Sequence, residues 1–151
     1  MSSDSDNFLK KTSFFLPMIL SAAIITLYLI PWASRSFSWG YVAGIWGFFE
    51  IVALLATVSV PVIYGWKTGD AQGAAITGIL PVLIVMIILR GISGNFPQTS
   101  GLLIEMVIYT GSLCIIGGFE GFFASRREMK FLGIALALAC VWIYVFLSGI
   151  R

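Results

Sequence analysis

The sequence predicts an all-α fold, a polytopic transmembrane helix bundle of about five spans, and three observations carry that reading. Hydrophobic residues make up 59% of the 151-residue chain and charged residues 11%, far below the roughly 25% charged residues of soluble domains. The mean hydropathy is +0.99. Apolar stretches recur, divided by short polar punctuation, and each approaches the ~20 residues that cross a hydrocarbon core of about 30 Å.

Taken in order, residues 1–13 form a polar N-terminal segment with Asp4 and Asp6 before Lys10 and Lys11. Its acids argue against a transit peptide, which is Arg-rich and acid-poor. The first apolar stretch, Phe14 to Trp32, is too long for a signal h-region and lacks an A-x-A site, with Ser21-Ala22-Ala23 only a faint imitation; it is expected as a retained span. Gly40 to Tyr64 is the second. Gly73 to Leu89 is the shortest and reaches comfortable length only with Arg90 to Ile92, so four spans with a re-entrant third segment is the alternative. Leu102 to Ala124 and Phe131 to Ile150 complete a single transmembrane domain over residues 14–150.

Short loops orient such a bundle through their lysines and arginines. With the N-terminus cytoplasmic, the inner flanks hold Lys10, Lys11, Lys67, Arg126, Arg127 and Lys130, and the outer flanks Arg35, Arg90 and Arg151. Aromatic placement agrees, with Trp32 and Trp39 at the outer interface and Tyr64 and Trp66 at the inner one. The expectation is a multi-pass protein of the cell membrane, N-terminus inside and C-terminus outside. The loops leave no room for a soluble catalytic module.

Pro17, Pro61 and Pro81 fall inside spans. Each removes a backbone donor and frees a carbonyl that must be satisfied again within the membrane, so each marks a kink, a hinge or an exposed coordinating carbonyl. Small residues at four-residue spacing mark faces where helices approach closely: Gly40 and Gly44, extended by Ala43 to Gly47, and Gly117 and Gly121.

Three intramembrane acids stand out. Glu50 lies near the middle of a run from Gly40 to Trp66 that holds no other charge. A carboxyl at that depth costs roughly 2.5–3.5 kcal/mol on insertion scales, so it marks a polar contact, a proton site or an ion path. It is either a staple that hydrogen-bonds a neighbouring helix or a coupling residue for a proton or cation. Glu105 and Glu120 share the fourth span, about 60° apart around the helix and about 22 Å apart along it. Arg90 is placed to pair with Glu105, and Arg126 and Arg127 with Glu120; the alternative is a pair of entry and exit carboxylates.

Other chemistry is sparse. Cys114 and Cys140 could share a depth but have no companion ligands, and buried cysteine behaves as a small hydrophobe. Histidine is absent, which removes histidine-based acid–base catalysis, histidine haem ligation and most transition-metal sites. No Walker, dinucleotide or nucleophile-elbow motif occurs, and Gly65 to Asp70 reads as a turn. A net charge of +2, located at span ends, implies no nucleic acid. No cofactor, metal or enzymatic activity is expected. The lipid bilayer and other membrane subunits, or further copies of the chain, are the expected partners. Two functions remain: a non-catalytic accessory or scaffold subunit of a membrane complex, or a small homo-oligomeric proton- or cation-coupled transporter or channel using Glu50.

Overall fold

The protein is represented by a computed structural model that describes residues 3–36, 43–92 and 99–149. Those residues form α1 (Ser3–Ser36), α2 (Ala43–Thr68), α3 (Ala71–Ile92), α4 (Ser100–Ala124) and α5 (Met129–Ser148). Each helix contains a stretch long and apolar enough to cross a membrane. The chain is a multi-pass helical membrane protein.

The third segment is a full span. α3 runs unbroken for 22 residues through Pro81, a length of about 33 Å, so the re-entrant alternative does not hold. α1 is longer than its apolar stretch because no glycine or proline interrupts the chain between Ser3 and Pro17, and the polar segment continues as helix. The turn between α2 and α3 is equally explicit. Gly69 takes φ +70, the left-handed conformation that ends helices at low cost for glycine. Asp70 then caps α3, its Oδ1 accepting from the amides of Gln72 and Gly73 at 3.1 Å each.

Helix contacts arrange the bundle as three triangles sharing edges: α1 with α2 and α3, then α2 with α3 and α4, then α2 with α4 and α5. α2 touches all four others, and α1 and α5 flank the bundle on two neighbours each. Lipid is as apolar as leucine, so close packing rather than hydrophobic burial holds these helices together. One apolar cluster joins Val58, Val82, Leu113, Cys114, Ala139 and Trp142. Within it Trp142 stacks on Phe146, with ring centroids 5.2 Å apart, and its indole N–H donates to the Leu113 carbonyl at 3.0 Å, as a buried tryptophan requires. A second cluster, Val62, Ala124 and Ala135, lies nearer the α2–α3 and α4–α5 turns.

The two turns share one end of the bundle. Arg127 in the α4–α5 turn donates through Nε to the Trp66 carbonyl at 3.1 Å and through Nη2 to the Lys67 carbonyl. These are carbonyls of the last turn of α2, which have no donor within the helix and favour a cation. At the opposite end, Tyr109 donates to the Phe146 carbonyl at 3.0 Å.

Candidate functional site

The tightest part of the molecule is built from glycines. A Cβ on Gly117 would stand 2.7 Å from the Gly78 carbonyl oxygen, and one on Gly65 would stand 2.7 Å from that of Gly121. Gly121 in turn lies against the Ala74 carbonyl. So α2, α3 and α4 meet backbone to backbone at Gly65, Ala74, Gly78, Gly117 and Gly121. The corresponding motif on α2 behaves differently. A Cβ on Gly47 would meet nothing within 4 Å, so the expectation that Gly47 belongs to a packed face is corrected. Gly40 lies outside the described residues, as do the surroundings of Gly44.

Registers set by these contacts locate the acids. Val58 and Leu113 share a cluster, and Glu50 and Glu105 each precede them by eight residues on parallel helices, which brings the two acids to one depth. Glu50 therefore lies in the half of α2 (Ala43–Thr68) away from the α2–α3 turn. Both acids are exposed at the surface of the bundle. In antiparallel α3, Gly78 opposite Gly117 puts position 90 level with Glu105, while the side chain of Arg90 lies outside the described set.

Glu120 departs most from expectation. It is 1% exposed, and neither carboxylate oxygen has a hydrogen-bond partner. The expected ion pairs do not form: Arg126 sits over the Phe122 ring, 5.0 Å from its centroid, and Arg127 caps α2. Helical phase explains this, because Glu120 is about 20° from Leu113 and about 40° from Ala124 around α4. It therefore points with them into the bundle, while the arginines project from the turn and are exposed.

Sequence reasoning missed a polar seam between α1, α2 and α3. Pro17, Ser21, Ile24 and Tyr28 form one strip of α1. Its two ends are tied to the neighbouring helices: a Cβ on Gly73 would lie 2.8 Å from Pro17 Cγ, and the Tyr28 hydroxyl pairs with that of Thr57 at 3.3 Å. Ser21, Thr57 and Thr77 are buried. Thr57 donates to the Ala53 carbonyl and Thr77 to that of Ala74, each at 2.8 Å, whereas Ser21 Oγ has no partner. Toward the turns, Tyr64 donates to Asp70 Oδ2 at 3.0 Å. Pro61 and Pro81 remove the helical donors for the carbonyls of Thr57 and Thr77. A threonine four residues before a buried proline, twice over, was the available signal. Glu50 stands about 20° from Thr57 around α2 and so continues this strip at the end away from the turns.

The remaining candidates are separate. Cys114 is buried and directs Sγ toward the Ile79 carbonyl at 3.8 Å, while Cys140 is exposed, so the two thiols do not face each other. Among the described residues no group of three acidic, cysteine or histidine side chains gathers. Between the halves of α3 and α4 remote from the two turns lies an apolar groove of about 270 Å³ lined by Leu83, Met86, Ile87, Met106, Val107 and Thr110. No family model, curated protein or solved structure matches the chain.

Proposed function

We propose that this chain is a non-catalytic, integral subunit of a larger membrane assembly, placed in the cell membrane with its N-terminus cytoplasmic and its C-terminus outside. The observation that carries the proposal is the outer end of α4. Gly101 to Glu105 are all exposed, more than one full helical turn, so this part of the helix has every face open and an acid among Leu102, Leu103 and Ile104. A carboxyl facing lipid is unfavourable, and a partner helix with a donor at that depth would remove the cost. The backbone-to-backbone meeting of α2, α3 and α4 further supports a compact packing unit. Purification in a mild detergent tests this. Other chains should accompany the protein in fixed stoichiometry, and a lone monomer or homo-oligomer would count against the reading.

One observation favours a second reading, proton- or cation-coupled transport through a homo-oligomer. Glu50 lies on the same strip of α2 as Thr57, Pro61 and Tyr64, the strip that meets the polar seam. In proteoliposomes, Glu50→Gln abolishes ion-dependent flux if this acid couples transport. If Glu50 is a staple, Gln is tolerated and Glu50→Leu impairs assembly.

A further inference from the structure

We propose that Glu120 is a proton-binding site at the inner junction of α2, α4 and α5, taking up and releasing a proton through the end of the bundle that carries the two turns. The proposal does not depend on the chain having partners.

The geometry comes first. Glu120 occupies the strip of α4 between Leu113, which joins Val58, Val82, Ala139 and Trp142, and Ala124, which joins Val62 and Ala135. Both clusters contain α2 and α5 residues, so the carboxyl lies where those two helices close on α4. It is 1% exposed with both oxygens unpartnered, which is rare for a buried polar group and calls for a ligand or a purpose. An ionised carboxylate in such surroundings leaves an uncompensated buried charge, which is strongly unfavourable. A positive companion removes that cost.

Two positive companions are conceivable, and the surroundings choose between them. A metal ion needs a shell of oxygens or other ligands. The Glu120 strip supplies leucine and alanine, and no ligand group gathers among the described residues. A proton needs no shell. It neutralises the carboxyl by binding to one oxygen, and its departure restores the carboxylate.

Release needs an electrostatic counterweight, and the nearby turn supplies it. Ala124, the last residue of α4, lies one turn beyond Glu120, about 6 Å along the axis. Toward the turns the charged and titratable groups on the surrounding elements are Tyr64 and Lys67 of α2, Asp70 before α3, Arg126, Arg127 and Glu128 of the turn, and Lys130 of α5; Glu50, Glu105, Tyr109, Cys114, Cys140 and Tyr144 lie farther along α2, α4 and α5. Tyr64 bonds Asp70, Arg126 covers Phe122 and Arg127 holds the α2 carbonyls. Lys67, Glu128 and Lys130 are exposed. None of them bonds Glu120, yet cations outnumber acids at this end, and their field supports the carboxylate when the proton leaves.

The test is pH-difference infrared spectroscopy on the full chain in lipid vesicles. The expected result is a carboxylic-acid C=O band that is lost in Glu120→Gln, fades reversibly as pH is raised and returns on acidification. A folded wild type without that band at any pH holds a permanent carboxylate, and a band unchanged at every pH that preserves the fold is a fixed acid; either overturns the proposal. Should Glu120→Gln fail to fold, dicyclohexylcarbodiimide, which adds to protonated carboxyls in apolar surroundings, replaces it on the wild type. Peptide mass spectrometry should then find the adduct on Glu120, decreasing with rising pH and indifferent to sodium. No adduct there, or protection by sodium, overturns the proposal.

Discussion

Gly78 and Gly117 meet backbone to backbone, each leaving no space for a side chain on the other. A Cβ on Gly117 would stand 2.7 Å from the Gly78 carbonyl oxygen, and α3 and α4 make the most extensive helix pair in the bundle. In lipid such close approach, with the dispersion contacts it allows, is what holds helices together.

Replacing Gly117 or Gly121 with leucine should therefore push α4 off its neighbours and cost about 1–3 kcal/mol or more, as overpacking does. Gly47→Ala is the control, since a Cβ there meets nothing within 4 Å. It should be neutral or slightly stabilising, because alanine is the better helix former. Thermal unfolding in detergent measures both, and equal losses at Gly47 and Gly117 would mean that the contact carries no stability.

That contrast also shows what could be read from the residues alone. Five spans were legible because bilayer thickness sets helix length and no span interior carries more than isolated charges. Gly117 and Gly121 were legible as small residues one turn apart. Their counterparts Gly65, Ala74 and Gly78 were not, because spacing along one helix says nothing about what another helix presents. The motif ending at Gly47 has the same spacing and an open face: small residues permit an approach without supplying the neighbour. Glu120 was misread because nearness in sequence to Arg126 outweighed phase. Its angular distance from Leu113 and Ala124 already placed it inward. The seam escaped notice because Ser21, Thr57 and Thr77 are single hydroxyls on three different helices.

Arg127 links the two turns through the Trp66 and Lys67 carbonyls. Arg127→Ala should cost about 0.3–1 kcal/mol, the range for an exposed cation at a helix C-terminus, and should speed amide exchange in the last turn of α2. Gly69→Ala should act on the same place by another route. Its φ of +70 disfavours a side chain, and the new Cβ would lie 3.1 Å from the Arg127 guanidinium carbon. Unchanged exchange in both variants would show that the turns are held independently.

Five crossings put the two ends of the chain on opposite sides. Cysteines introduced at Ser3 and Ser148, in a background without Cys114 and Cys140, should react with an impermeant maleimide from opposite faces of sealed vesicles. With inside-in vesicles the residue-148 cysteine should react without permeabilisation, as the lysine and arginine distribution expects. Labelling of both positions from one face would require an even number of crossings.

Glu105 separates an isolated bundle from an assembled one. It is exposed beside Leu102, Leu103 and Ile104 on a stretch of α4 with every face open. If lipid surrounds that stretch, the carboxyl is a cost below the roughly 2.5–3.5 kcal/mol assigned to a charge at the bilayer centre, because Glu105 lies toward the helix end. Glu105→Leu should then raise the melting temperature of the purified bundle. If a partner helix covers the stretch in the membrane, the same substitution removes an interhelical hydrogen bond of about 1 kcal/mol, and partner recovery on mild-detergent purification should fall. Both effects are expected together: a more stable isolated chain that keeps its partners less well. A variant that retains every partner and melts lower than wild type would instead make Glu105 an anchor of the bundle itself, and the surface proposed for assembly would have to lie elsewhere.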